Sequence, residues 1–223
     1  MLKYKCLVLD HDDTVIQTEK QLGYPYFRDF IETIRPGSNL GYEEYVKDCN
    51  NMFFEDMCRV RWNMTAEEHR REYAGWKEYY SNTPHPIFPG IDRIIHRQKE
   101  LGGLVCVASL SPSADILRDY QTLFGIEPDA LYGVDRPREE RKPNPYPLED
   151  IMAKFDLKPE DILVVDDMKV ACMMAQPLGI AVAFAAWCKA DFPELTGEMR
   201  QMCDYSFDRT EDLEKFLFGD IST

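Results

Sequence analysis

The chain has 223 residues, 44% hydrophobic and 30% charged, which is enough for one sizeable core or for a core with a smaller insertion. Asp and Glu number 40 against 26 Lys and Arg, so the formal net charge is -14 at pH 7. Because no run of Lys and Arg forms a basic stripe, we expect neither nucleic acid nor an anionic membrane surface as a partner.

Three further features narrow the class of protein. The apolar run near the N-terminus is short and ends in aspartates, unlike a signal peptide. No segment approaches the ~20 apolar residues of a transmembrane helix. The seven cysteines are odd in number and lack CxxC spacing, which disfavours a disulfide framework and a zinc site. We expect a reduced, cytoplasmic protein that is either a monomer or a homodimer.

Five short apolar runs have the length and flanks of buried parallel strands. Stretches with helical spacing alternate with the last four runs, as in a doubly wound α/β sheet. We therefore predict a Rossmann-like, three-layer core with a parallel sheet. The predicted strands are residues 6–10, 104–109, 130–135, 161–166 and 180–187. The predicted helices are residues 90–103, 111–125, 144–155 and 169–179, with a last short strand and helix within 204–218.

One predicted helix, residues 111–125, carries clear end signals. Ser111 is placed to cap its N-terminus, and Pro112 would occupy the first helical position. Gly125 follows directly after its end.

Residues 16–86 interrupt the alternation of strands and helices. They contain no strand-like run, are rich in aromatic residues, and include Thr65 and Glu68 at the spacing of a capping box. We interpret them as an all-helical insertion, joined to the core by residues 15–18 and by the proline-rich residues 83–90. The predicted domains are a core, residues 1–15 and 87–223, and an inserted helical domain, residues 16–86.

Carboxylates and a hydroxyl stand where three predicted strands end: Asp10, Asp12, Asp13, Ser109, Asp166 and Asp167. Ligands of doubly wound sheets bind outside the carboxyl ends of the strands, so these groups would converge on one crevice. Carboxylates at this density require a cation among them. Their hard oxygens suit Mg²⁺ together with a substrate phosphate, and the lack of a histidine pair at ligand spacing disfavours zinc.

Two short stretches have a recognisable pattern. DHDDT has a D-x-D-x-T arrangement, with Asp10, Asp12 and Thr14 in register. VCVASLS contains the end of the predicted strand 104–109, whose last residue is Ser109. These stretches resemble the first two motifs of the haloacid dehalogenase superfamily.

The remaining two superfamily motifs follow in order. KPNPYPL resembles the lysine–proline third motif and places the lysine at Lys142. LVVDDMKVACMMAQPLGI resembles the fourth, with the acidic pair Asp166 and Asp167. The helical insertion lies between the first and second motifs, as in superfamily members with a mobile helical cap. The general likeness is to the branch that contains phosphoglycolate phosphatase and β-phosphoglucomutase.

The resemblance implies a covalent phosphoryl-transfer mechanism on this type of fold. Asp10 would be the nucleophile that forms an aspartyl-phosphate. Asp12 would protonate the leaving oxygen and then activate water as a general base. Thr14 and Ser109 would hydrogen-bond the phosphoryl oxygens, and Lys142 would offset the charge of nucleophile and phosphoryl group.

The resemblance also implies Mg²⁺ as the cofactor. Asp10 and the backbone carbonyl of Asp12 would be two of its ligands. Asp167 would bind the ion directly, and Asp166 directly or through water.

Asp12 indicates which reaction class the chain follows. Dehalogenase members of the superfamily lack an acid at this second position, because a departing halide needs no proton. An alkoxide leaving group does need one, so Asp12 favours phosphoryl transfer.

Two residues depart from the usual first motif. Asp13 stands where glycine is commonest, and we interpret it as a solvent-facing loop residue rather than as a further carboxylate around the metal ligands. His11 replaces the usual apolar residue between the aspartates, and we interpret it as a hydrogen-bonded structural residue rather than a second base.

Taken together, these residues lead us to expect a Mg²⁺-dependent phosphatase for a small phosphorylated metabolite. A mutase similar to β-phosphoglucomutase is the alternative, since it would share all four motifs and a similar cap. A catalytically silent binding protein with the same fold is the non-enzymatic alternative. The substrate stays open, and we interpret Arg59 and Arg61 of the insertion as solvated helix charges.

Overall fold

Six strands form the central sheet: β1 (Cys6–Leu9), β2 (Leu104–Ala108), β3 (Ala130–Tyr132), β4 (Ile162–Asp166), β5 (Ala181–Ala185) and β6 (Tyr205–Phe207). All pairings are parallel, in the order β3-β2-β1-β4-β5-β6. The structure, a computed structural model, describes residues 2–219. The five predicted strands and the short strand of the last segment are confirmed. The point where the strand order reverses lies between β1 and β4, which is where ligands of such sheets bind.

The third strand is shorter than the predicted residues 130–135. It ends at Tyr132, because the chain then leaves the sheet. The Val134 N–H donates to the carbonyl of Ser111 (3.0 Å) rather than to a neighbouring strand.

Four α-helices and two π-helical turns, Glu19–Gly23 and Met57–Arg61, form the insertion; the α-helices are α1 (Tyr24–Ile34), α2 (Tyr42–Asn51), α3 (Phe54–Asp56) and α4 (Ala66–Asn82). Gln17–Pro86 is a compact unit with its own buried cluster around Phe27, Ile31 and Met57. The predicted capping box opens α4: the Glu68 N–H donates to Thr65 Oγ1 (3.2 Å) and the Thr65 N–H to Glu68 Oε2 (2.8 Å). The insertion is therefore helical, as expected from its lack of strand-like runs.

Within the described residues, the core unit has six α-helices: α5 (Ile91–Glu100), α6 (Ser113–Asp119), α7 (Tyr146–Phe155), α8 (Lys169–Ala175), α9 (Gly197–Met202) and α10 (Thr210–Phe218). This unit comprises the chain up to Ile16 and from Ile87 onward. None of the helices in the described residues is long and apolar enough to cross a membrane.

Helices cover both faces of the sheet. Cys6 and Val8 of β1 pack in one cluster with Leu148 of α7 and Met174 of α8. Alternate residues of a strand point to opposite faces, and the intervening Leu7 is also fully buried. Helix α5 packs against strand β2 of the sheet. The result is the predicted three-layer α/β core.

The predicted N-terminus of the helix within 111–125 is wrong. Pro112 is the N-cap residue in extended backbone, α6 begins at Ser113, and a π-helical turn, Tyr120–Phe124, continues it. The Ser113 N–H is satisfied by Asp135 Oδ1 (2.7 Å), so the helix does not use Ser111 as a cap. Gly125 does follow the end, in the left-handed conformation predicted for a C-terminal glycine (φ 66°).

The interior of the insertion contains one carboxyl group. Glu72 of α4 is only 3% exposed, and this burial raises its pKa to about 7. The Tyr26 hydroxyl donates to the backbone carbonyl of Glu72 (2.5 Å). Because burial raises its pKa, Glu72 is more easily buried in its protonated form. Burial, together with the nearby Glu72 carboxyl, also raises the pKa of the Cys58 thiol to about 12.

We expect Glu72 to make the insertion more stable at low pH. The folded protein keeps a proton up to about pH 7, whereas the unfolded chain releases it near pH ~4.3. This contribution to the free energy of unfolding is complete below the unfolded pKa and is lost as the pH rises through the folded pKa. Glu72→Gln cannot ionise. Its free energy of unfolding, relative to that of wild type, should therefore rise by about 2 to 3 kcal/mol from pH 5 to pH 8.

Urea unfolding of both proteins at the two pH values measures this gain. Glu67→Gln, in the exposed first turn of the same helix, is the matched control and should show no gain. A Glu72→Gln difference that does not change with pH would contradict the assignment.

Candidate active site

The register of the two central strands brings two carboxylates side by side. Leu9 pairs with Val165, and the Asp10 N–H donates to the Val165 carbonyl (2.9 Å). Asp10 therefore lies next to Asp166, the last residue of β4. One carboxylate oxygen each from Asp10, Asp166 and Asp167 lie within 4.8 Å of one another. This geometry is consistent with a divalent-metal site.

Lys142 forms hydrogen bonds with two of these carboxylates, those of Asp10 and Asp166. Its Nζ donates to Asp10 Oδ1 (2.8 Å) and to Asp166 Oδ2. Burial alone would lower the pKa of Lys142, but the attraction of the two carboxylates raises it above its ordinary value. The two carboxylates at the strand ends therefore favour the charged form of this buried lysine.

The acidic pair is held in an environment that opposes its ionisation. Burial raises the pKa of Asp166 to about 7, although Lys142 acts in the opposite direction. Burial and the carboxylates of Asp13, Asp10 and Asp166 raise the pKa of Asp167 well above its usual range, although Lys189 lowers it. Carboxylates in such a site ionise readily only when a further cation joins them.

The two predicted phosphate-binding hydroxyls lie at the carboxyl ends of neighbouring strands. Thr14 is completely buried, and no residue of the described chain hydrogen-bonds its Oγ1. The Thr14 carbonyl accepts from Trp187 Nε1 (3.2 Å), which fixes the backbone of this turn. Ser109 follows β2, and its Oγ accepts the Ser111 N–H (3.2 Å). A buried hydroxyl without a protein partner is a group that a polar ligand would satisfy.

Asp12 has a partner that the sequence did not suggest. The hydroxyl of Ser111 donates to Asp12 Oδ2. Ser111 was predicted to cap a helix, and its position two residues beyond Ser109 was the only signal for a role at the site.

His11 is fully buried between the two aspartates of the first motif. Its Nε2 lies 3.0 Å from Asp119 Oδ2, and Arg118 Nε and Nη2 donate to the other oxygen of Asp119 (3.2 and 3.1 Å). The structure thus shows a hydrogen-bonded His11 within the protein interior. Asp119 lies 108 positions away in the chain, so this partner had no local signal.

Asp13 occupies a turn that explains why glycine is the usual residue there. Its φ is 55°, in the left-handed region that side chains with a Cβ adopt at a cost. Aspartate tolerates this conformation better than most residues. Asp13 is half-buried rather than solvent-facing, and its carboxylate raises the pKa of Asp167.

Lys189 is a second buried cation that the sequence analysis missed. It lies in the turn directly after β5, and its positive charge lowers the pKa of Asp167. A single lysine after an apolar run gives no pattern from which this position can be predicted.

The sequence profile of haloacid dehalogenase-like hydrolases matches residues 7–185. The chain belongs to this family. It is accordingly a hydrolase with the fold and motif order that the resemblance implied. A search of curated protein sequences found no significant match.

Solved structures share the whole fold at low sequence identity. CbbY from Rhodobacter sphaeroides, solved as a variant in complex with xylulose-(1,5)-bisphosphate, has a TM-score of 0.67 at 18% identity, covering 94% of this chain and 96% of its own. A predicted phosphoglycolate phosphatase from Haemophilus somnus has a TM-score of 0.65 at 19% identity, covering 97% and 99%. A subfamily IA hydrolase of the superfamily from Geobacter sulfurreducens has a TM-score of 0.70 at 14% identity, covering 97% of both chains. At these identities, the likeness establishes the fold.

We expect the backbone at position 13 to discriminate glycine from alanine. Asp13→Gly and Asp13→Ala remove the same carboxylate, but only alanine places a Cβ in the left-handed conformation. Asp13→Ala should therefore unfold with a free energy about 1 kcal/mol lower than that of Asp13→Gly. Urea denaturation of the two variants measures the difference.

Asp156 provides the control for this comparison, because it has a similar φ of 52° at the end of α7. The same order, glycine above alanine, is expected there. If Asp13→Ala equals or exceeds Asp13→Gly in stability, the conformational explanation for this position is wrong.

Proposed function

We propose that the protein is a Mg²⁺-dependent phosphatase that hydrolyses a small phosphorylated metabolite through an aspartyl-phosphate. One observation carries this proposal above the others. The Asp10 carboxylate accepts from the ammonium of Lys142 and lies beside the acidic pair Asp166 and Asp167, with Asp12 two residues further on. This arrangement unites a nucleophile, a fixed positive charge and a site for a metal ion.

In the first half-reaction, the Asp10 carboxylate attacks phosphorus. The bond between phosphorus and the ester oxygen breaks, and Asp12 donates a proton to that oxygen as it leaves. In the second half-reaction, Asp12 accepts a proton from water, which attacks the same phosphorus. The bond from Asp10 to phosphorus breaks, and inorganic phosphate is released.

The phosphoryl group would be held by the groups that end the neighbouring strands. The hydroxyl hydrogens of Thr14 and Ser109 are suited to its oxygens, and the unpaired Thr14 Oγ1 supports this role. Lys142 would offset the negative charge that develops on the transferred group.

The carboxylates fit a Mg²⁺ ion, because they supply hard oxygen ligands at one point. Asp10, the backbone carbonyl of Asp12 and Asp167 would hold the ion, with Asp166 binding directly or through water. When bound, the ion would supply positive charge that lets an anionic nucleophile approach a phosphate dianion.

All the proposed catalytic and ligand-binding residues belong to the core unit, which runs up to Ile16 and resumes at Ile87. We assign the selection of the substrate to the helical insertion, residues 16–86, as a cap of the kind found in this family. Helical caps of this kind select small substrates, which supports a small phosphorylated metabolite as the substrate.

Two neighbours suggest which esters to test first. One is named a phosphoglycolate phosphatase, and CbbY was solved with a sugar bisphosphate. Phosphoglycolate and sugar phosphates are therefore the leading substrate classes. A mutase similar to β-phosphoglucomutase would use the same residues, but it would release phosphate slowly and would need a bisphosphate activator.

We expect phosphate release from one or a few small monoesters, dependent on Mg²⁺ and abolished by EDTA. Asp10→Asn should lower this release to background, because the amide is not a nucleophile. Asp156→Asn, at an exposed position of the core directly after α7, is the matched control and should retain full activity. A panel of phosphate monoesters with a phosphate assay makes the measurement.

Wild-type protein that releases no phosphate from any ester with Mg²⁺ would contradict the proposed function. Interconversion of hexose phosphates after addition of a bisphosphate would then identify the mutase. Failure of both reactions would favour the catalytically silent protein.

A further inference from the structure

Ser111 is fixed in place by its own backbone. Its N–H donates to Ser109 Oγ (3.2 Å), and its carbonyl accepts the Val134 N–H (3.0 Å). These two hydrogen bonds tie the backbone of Ser111 to the turn after β2 and to the turn after β3.

The hydroxyl of Ser111 donates to Asp12 Oδ2. The contact joins two segments 99 positions apart, the turn after β1 and the turn after β2. A hydrogen bond to a carboxylate is stronger than one between neutral groups, and it favours carboxylate orientations in which Oδ2 faces the serine.

Helix capping does not account for this serine. The first N–H group of α6, that of Ser113, donates to Asp135 Oδ1 (2.7 Å), and the Ser113 hydroxyl donates to the same oxygen (2.8 Å). The start of the helix is therefore satisfied without the Ser111 hydroxyl, which is directed to Asp12 instead.

We propose that Ser111 is a positioning residue for the proton transfer performed by Asp12. By donating to Oδ2, it fixes the orientation in which Oδ1 gives its proton to the leaving oxygen. The bond from phosphorus to that oxygen breaks as the oxygen–hydrogen bond forms, and the electron pair of the broken bond stays on the oxygen. The proposal rests on the proposed phosphatase function.

A leaving-group comparison separates positioning of the acid from general support of the fold. Phenyl phosphate and p-nitrophenyl phosphate differ only in a nitro group, but p-nitrophenolate is the far weaker base and needs little protonation to leave. A misplaced acid should therefore slow the cleavage of phenyl phosphate more than that of p-nitrophenyl phosphate. A loosened fold should slow both equally.

The experiment measures kcat/KM for both esters at saturating Mg²⁺, because this constant reports the step in which the leaving group departs. Ser111→Ala should lower it about tenfold for phenyl phosphate, a fraction of the ~10²–10⁴-fold that general acid catalysis contributes. The loss for p-nitrophenyl phosphate should be about twofold or less. Ser111→Thr, which retains a hydroxyl, should restore most of the rate.

Two further variants make the result specific. Ser113→Ala removes the neighbouring hydroxyl, which bonds Asp135, and should change neither rate. In an Asp12→Asn background, Ser111→Ala should cause no additional loss, because its effect passes through Asp12.

Equal slowing of the two esters, or a full additional loss in the Asp12→Asn background, overturns the positioning role of Ser111 and leaves the phosphatase intact. A change in KM alone would also overturn it, because that result indicates direct binding of substrate by the serine. A wild-type protein inactive on these esters and on the metabolite panel overturns the proposed function and this inference with it.

Discussion

The ion pairs of Lys142 with Asp10 and Asp166 are the interaction on which the site depends. Three groups that carry charge in water are buried here at the edge of an apolar sheet, and such burial is unfavourable unless the charges compensate one another. Removing one partner of a buried pair costs about 3–5 kcal/mol, because the other charge is left unpaired. One lysine balances only part of the negative charge, so the site is stable yet still attracts a cation.

The parallel sheet is what makes this concentration of charge possible. Strands that run in one direction end at one edge, and the register of Leu9 with Val165 aligns the ends of β1 and β4. The apolar runs that precede Asp10 and Asp166 are buried on both faces, which anchors the two carboxylates in a rigid layer. The negative groups are thus fixed by the fold and do not have to be assembled when a ligand arrives.

The apolar runs and their spacing were sufficient to predict the sheet, the helical insertion and most core helices, because these features depend on local pattern. The acidic groups at the strand ends were identified for the same reason. Ser111, Asp119 and Lys189 were missed as partners of the site, because each acts on a residue far away in the chain. The start of α6 was misplaced because Asp135, 22 positions away, takes the role that the sequence assigned to a local cap.

Chemical trapping of the enzyme during turnover tests the central claim most directly. Borohydride reduces an acyl phosphate, so an aspartyl-phosphate at Asp10 would be converted to homoserine, which mass spectrometry of the peptide identifies. We expect homoserine at position 10 in protein mixed with Mg²⁺ and a substrate, and none without substrate. Continued phosphate release with Asp10 unchanged would show that water attacks the ester directly, and the covalent mechanism would be wrong.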